Sequence, residues 1–387
     1  VMRHPWLHLI PACLLLAVFV APAWRLKAWN VGAKDLLAAS ETRRGFEALQ
    51  ENFEGGWMGP VVIHLSSAGS LWAPSSQAAV KGMAEDLGRD PRVAHVLGYP
   101  EILEAFDRFG LDAEADLIPA SAQRSAANVV TRDGHSAMVL LLTHEPPESA
   151  TVMGLVRELR ARSWTGLESQ GIHVGITGYS AAIADFDHEL FNSMWRVVPA
   201  VLGLTFMLLL LLFRSLLIPL KATLMNLLSV LGAYGFLVLV FQDGALDGLT
   251  GLHAPGGLNS FIVLMLFTIL FGLSMDYEVL LLGRIREEYK RSGNSQEAVA
   301  LGLGRSGGII TSAALIMVCI FGSFAFTRLT ATREFGLGLS FAVALDATVI
   351  RVVLVPALME LFGGANWWLP GWLDRILPRV GEVESEP

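Results

Sequence analysis

The sequence predicts an α-helical membrane protein of six transmembrane helices, one followed by five, with an α/β domain inserted after the first helix. Three observations carry that prediction. Of 387 residues 53% are hydrophobic and 17% charged, against roughly a quarter charged in a soluble protein. The deficit is local: long apolar runs crowd the chain after Asn192, whereas residues 25–190 have the mixed charge of ordinary soluble protein. One further apolar run precedes that stretch.

A helix needs about 20 apolar residues to cross a bilayer core of roughly 30 Å. The first candidate runs from Leu7 to Trp24, between Arg3-His4 and Arg25-Lys27, within a first segment 1–24. Ala21-Pro22-Ala23 near its end resembles a signal-peptide cleavage site. A retained anchor is the preferred reading, and either reading places residues 25–190 outside. Five more spans are expected at 194–213, 216–241, 258–283, 306–326 and 334–361, inside a membrane domain of 191–362. Lys221 opens the third span, where it is expected to snorkel to the interface.

Basic residues near span ends set the orientation. A loop at 284–305 carries Arg284, Arg286, Lys290, Arg291 and Arg305; Arg214 follows the second span, and Arg375 and Arg379 follow the sixth. With six spans these regions share one side, expected to be cytoplasmic. Arg328 and Arg333 oppose the trend. Trp367 and Trp368 suit the headgroup layer, and residues 363–387, with acidic Glu382 to Glu386, read as a cytoplasmic tail.

Residues 25–190 are too long for a loop. Strands are expected at Val61–Leu65, Arg92–Leu97, Ala137–Thr143 and Ile172–Thr177, with helices at Ser75–Leu87, Ile102–Phe109 and 148–162. Asp133-Gly134 and Pro146-Pro147 bound the clearest strand. Two β-α-β units in succession predict a split-βαβ, ferredoxin-like domain, its helices on one face of the sheet.

Several function classes lose support. A net charge of −8 gives no footprint for nucleic acid. Cys13 and Cys319 lie in apolar runs, and His64, His95, His135, His144 and His173 are dispersed without metal-ligand spacing. There is no phosphate loop in the chain, and residues 25–190 hold no Gly-x-Ser-x-Gly elbow. An enzyme is not expected, and no cofactor beyond protons as a coupling ion.

The informative residues are charges inside apolar runs. Asp276 precedes the basic end of the fourth span by about eight residues, or roughly 12 Å of helix. A carboxylate at that depth is expensive. It is relieved by taking a proton or by facing a polar partner or water, and alternation between those states is what a proton carrier needs. A structural hydrogen bond is the bland alternative. Tyr277 points about 100° away and can flank the same cavity; Glu278 is expected nearer the interface and water. Asp346, in the sixth span, is a second relay or substrate-path candidate. Arg351, five residues on and about 140° around an α-helix, is poorly placed to pair with it, so each is expected to find a partner on another helix.

The run Gly272-Leu-Ser-Met-Asp-Tyr-Glu-Val-Leu-Leu-Leu-Gly-Arg-Ile-Arg-Glu-Glu-Tyr289 resembles the intramembrane Asp-Tyr segment of the MMPL branch of the resistance-nodulation-division transporters. Asp346-Ala-Thr-Val-Ile-Arg351 and Asn366-Trp-Trp-Leu-Pro370 resemble the end of that family's membrane domain. The resemblance implies proton-driven export of lipids or other hydrophobic molecules through a porter-like external domain, in a bacterial inner membrane. Related folds also sense lipid, so a non-transporting lipid sensor or scaffold is the alternative. Asp276 and Tyr277 map onto the family's proton-relay pair. Members carry two repeats, each with one pair; this chain resembles the C-terminal repeat. The expected partners, besides substrate and membrane lipid, are therefore an N-terminal half or a second copy supplying another pair, and the Val1 start favours the former.

Overall fold

The computed structural model describes residues 4–29, 32, 36, 40–53, 55–109, 127–247, 254 and 256–378. The acidic run Glu382 to Glu386 and Arg379 lie outside them. The chain divides into two units, Val1–Leu37 with Leu190–Pro387, and Ala38–Glu189. In chain order its described strands are β1 (Ala28–Trp29), β2 (Val61–Ser67), β3 (Val93–Gly98), β4 (Ser136–Thr143), β5 (Ile172–Gly178) and β6 (Leu258–Asn259).

Six helices are long and apolar enough to cross a membrane: span 1, Pro5–Arg25; span 2, Tyr179–Phe213; span 3, Leu217–Gln242; span 4, Ser260–Ser292; span 5, Ser295–Phe326; and span 6, Thr330–Trp367. Most exceed the apolar runs from which they were predicted, because helix continues through polar flanks until a turn residue stops it. Span 2 begins directly after Gly178, whose φ of 101° only glycine adopts freely, some fifteen residues before the apolar run.

The predicted 284–305 loop is corrected in the same way. Span 4 continues to Ser292 and ends at Gly293, in the left-handed region at φ 68°. Asn294 then caps span 5, its side chain accepting from the backbone N–H groups of Gln296 and Glu297. The basic residues of this segment therefore lie on two helix ends joined by a tight turn. Between them Glu288 is buried and takes both Arg291, at 2.8 Å, and Arg305.

Between spans 2 and 3, Arg214 adopts φ 49°, uncommon outside glycine. Its guanidinium donates to the Asp374 carboxylate at 2.5 Å and to the Leu377 and Pro378 carbonyls, which offsets the strain. Span 1 lies close against span 3 at Gly235, where any side chain would overlap the Phe19 carbonyl. The ends of spans 1 and 3 and the start of span 4 are tied together. Strands β1 and β6 pair in parallel, Gln242 bridges the Lys27 amide and the Arg25 carbonyl, and Arg25 meets Asp243 at 2.9 Å. Trp367 stacks on Tyr289 at 4.7 Å, while Trp368 is exposed.

The second unit holds a four-stranded antiparallel sheet of order β3-β4-β2-β5. Strand alternation sets its sides: Val61, Ile63 and Leu65 are fully buried, whereas His64 between them is exposed. The helices Pro74–Gly88 and Ala150–Ala161 bury Val80, Met83 and Leu87, and Val152, Leu155 and Leu159, in the same core cluster. Both therefore cover one face. The turn before β4 forms at Asp133-Gly134, with Gly134 at φ 69° and Asp133 accepting from Thr131 and the His135 amide.

Candidate functional site

Five polar residues of the membrane unit, Asn226, Ser274, Tyr277, Asp346 and Arg351, come together where spans 3, 4 and 6 meet. Span 6 changes its winding there. It is α-helical to Leu345, π-helical over Asp346–Leu354, and α-helical again from Val355. The wider turn brings residues five apart onto one side. Arg351 Nη2 consequently donates to Asp346 Oδ2 at 2.7 Å, and the two side chains are 6% and 10% exposed. This corrects the expectation that the pair could not form within one helix. That expectation used the 100° step of an α-helix, and the helix is not α there.

Ser274 and Asn226 complete the cluster. Ser274 Oγ lies 2.7 Å from Asn226 Oδ1 and 3.3 Å from Asp346 Oδ2. The Asn226 amide nitrogen donates to Met275 Sδ at 3.0 Å. The Arg351 guanidinium sits 5.2 Å over the Tyr277 ring, within cation–π range. The Tyr277 hydroxyl donates to Met317 Sδ at 2.9 Å. Asn226, Ser274, Tyr277, Asp346 and Arg351 line a cavity of about 20 Å³, room for one water.

Asp276 and Glu278 are separated by helix geometry. Two residues turn an α-helix through about 200°, so they lie on nearly opposite faces. Asp276 is exposed and makes no hydrogen bond or ion pair among the described residues. Glu278 is 7% exposed and points into the bundle, and its Oε2 has no hydrogen-bond partner among the described residues. The expectation that Glu278 lies near water is thereby corrected: its face of span 4 outweighs its position along it. Lys221 is half-buried, its ammonium donating to Asn366 Oδ1 near the end of span 6 and, at 3.3 Å, to Met359 Sδ. Asn366, which the sequence offered only as the start of the run Asn366-Trp-Trp-Leu-Pro370, has a structural part here. Asn366 is fully buried, donating to the Met359 and Gly363 carbonyls at 2.7 and 2.6 Å.

Residues 36–381 match the model of the MMPL family. The chain belongs to the MMPL family. With its six helices of membrane-crossing length, this MMPL chain is a multi-pass membrane protein. Among similar MMPL proteins is the mycolic acid-containing lipids exporter MmpL11 of Mycolicibacterium smegmatis, 35% identical over 98% of this chain and 37% of that protein. The heme uptake protein MmpL11 of Mycobacterium tuberculosis is also 35% identical, over 98% of this chain and 36% of that protein. The trehalose monomycolate exporter MmpL3 of Mycobacterium tuberculosis is 30% identical over 98% of this chain and 38% of that protein. The chain thus spans little more than a third of the length of these relatives.

Proposed function

We propose that this MMPL chain is the C-terminal repeat of a proton-motive-force-driven exporter of lipids or other hydrophobic molecules in a bacterial inner membrane. One observation carries the reading: an ionisable pair, Asp346 and Arg351, buried among membrane spans beside a water-sized cavity. Burying such a pair costs several kcal/mol per ion before the attraction returns any of it, and ionisable groups at membrane depth mark ion or substrate paths. The names of the relatives, two exporters and an uptake protein, support membrane transport of hydrophobic cargo.

In this reading Asp276 and Tyr277 form the proton relay. Asp276 faces outward because its partner is a second repeat or second copy, whose own pair would meet it across that face. A proton on Asp346 would release Arg351, and the π-helical turn of span 6 would relax with it. The antiparallel sheet, of order β3-β4-β2-β5 with both helices on one face, supports a ferredoxin-like, porter-like domain, placed outside the cytoplasm to pass substrate. The test is lipid efflux from vesicles carrying the assembled protein under an imposed pH gradient. Asp276→Asn is expected to reduce export to the rate seen without a gradient. Full export by that variant would defeat proton coupling through Asp276. Lipid binding with no gradient-dependent movement would favour a lipid sensor.

A further inference from the structure

The polar groups inside the bundle extend beyond the Asp346 cluster. Beside the 20 Å³ cavity lies a second, of about 10 Å³, that shares Asn226, Asp346 and Arg351 with it and adds Glu278. A third, also about 10 Å³, shares Glu278 with the second and is lined at its far side by Lys221 and Met359. Each is on the scale of one water molecule. Asp276 lines none of them. From Asp346 to Met359 the string follows thirteen residues of span 6, under about 20 Å of helix because the wider π-helical turns rise less per residue, and roughly half of a bilayer core.

Helix geometry explains the alignment. Ser274 and Glu278 are four residues apart and share one face of span 4. Lys221 and Asn226 face them from span 3, and Asp346 and Arg351 from span 6. At the far end Asn366 holds the Lys221 ammonium and is itself fixed by two backbone carbonyls. A buried carboxyl oxygen without a partner costs stability unless something fills its coordination. Glu278 Oε2 is such an oxygen, and it adjoins two of the three cavities.

We propose that Glu278 is a proton-holding group in an internal, water-bridged passage that runs within this chain from the Tyr277–Asp346 cluster to Lys221 and does not pass through Asp276. The step is a simple proton transfer. A bridging water gives a proton to the Glu278 carboxylate as it takes one from the Asp346 carboxyl, so charge is conserved and no electrons move. The charged groups facing Glu278 are Lys221 from span 3 and Asp346 and Arg351 from span 6. Lys221 stands at the mouth, where it keeps the passage polar and excludes other cations.

The inference rests on the proton-coupled reading but is tested apart from transport. The full chain is placed in phospholipid vesicles, and the carbonyl stretch of protonated carboxyl groups is followed by infrared difference spectroscopy as pH is stepped in H2O and D2O. Glu278→Gln is expected to lose one pH-dependent component, and Glu278→Asp to keep one. Asp276→Asn should leave the Glu278 component in place. Lys221→Leu should slow its deuterium shift severalfold. An unchanged spectrum in Glu278→Gln would overturn the assignment of Glu278, and an unchanged exchange rate in Lys221→Leu would overturn the mouth. If gradient-driven export persists while the Glu278 component is missing, the passage fails and the transport reading stands. If the component titrates but Asp276→Asn still exports fully, the relay fails and the passage stands.

Discussion

The two units handle charge in opposite ways. In the Ala38–Glu189 unit the core around Ile63, Leu65, Leu141 and Leu155 is apolar, and ion pairs such as Arg92 with Asp90 and Arg162 with Asp86 lie at the surface. In the membrane unit Leu204, Ile309, Leu315 and Ile316 are exposed, while Asp346, Arg351, Glu278 and Glu288 are buried. The solvent accounts for the inversion. Water solvates charge and expels hydrocarbon, whereas lipid tails accept hydrocarbon and give a charge no shelter except the protein interior. A buried charge is thus an anomaly in the Ala38–Glu189 unit and the cheaper choice in the membrane unit.

The largest expected effect breaks the buried pair. Asp346→Asn leaves Arg351 without its counter-ion and should destabilise the bundle by about 3–5 kcal/mol. The double change Asp346→Leu with Arg351→Met removes both charges and should recover most of that loss. Thermal unfolding of the full chain in detergent, read by fluorescence, compares the two. Equal losses in the single and double variants would show that the pair is not held by charge.

An effect of similar kind but apolar origin is expected in the sheet. Ile63 is fully buried in the central strand β2. Ile63→Ala should cost about 2–4 kcal/mol through lost burial and a residual cavity. Amide hydrogen exchange confined to β2–β5, with span exchange unchanged, would show that the two units are separately stabilised.

The smallest effect sharpens the contrast at the surface. The Arg92 guanidinium beside Asp90 holds its carboxyl below the usual carboxylate range. A depressed native pKa gives stability that is complete above the unfolded value, near pH 4, and lost as pH falls through the lower native value. Asp90→Asn should therefore cost under about 1 kcal/mol at pH 6, less in high salt, and nothing once Asp90 is protonated in both states. Hydrogen exchange of the sheet at pH 6 and near pH 3 checks this; a penalty that grows on acidification would contradict it.

Much of the fold was legible in the sequence. β4 was readable from an apolar run bounded by Asp133-Gly134, and the spans from apolar length alone. Boundaries were harder, because a polar helix flank looks like a loop: nothing in Arg284 to Arg305 announces helix except the Gly293-Asn294 turn between two amphipathic ends. The site was half legible. A charge in an apolar run is conspicuous, so Asp276, Glu278, Asp346 and Arg351 could all be named as candidates. Which of them meet could not, because that depends on helical phase.

Composition and period alone determined that this chain carries six helices long and apolar enough to cross a membrane, with an α/β domain inserted after the first, since the cost of an unsatisfied backbone in hydrocarbon leaves few other folds. Only the tertiary structure decided that Glu278 faces inward and Asp276 outward, and that Asp346 reaches Arg351. Those outcomes hang on the angular register of span 4 and on one π-helical stretch of span 6. Both are set by packing against neighbouring helices, and neighbours along the sequence carry no record of it.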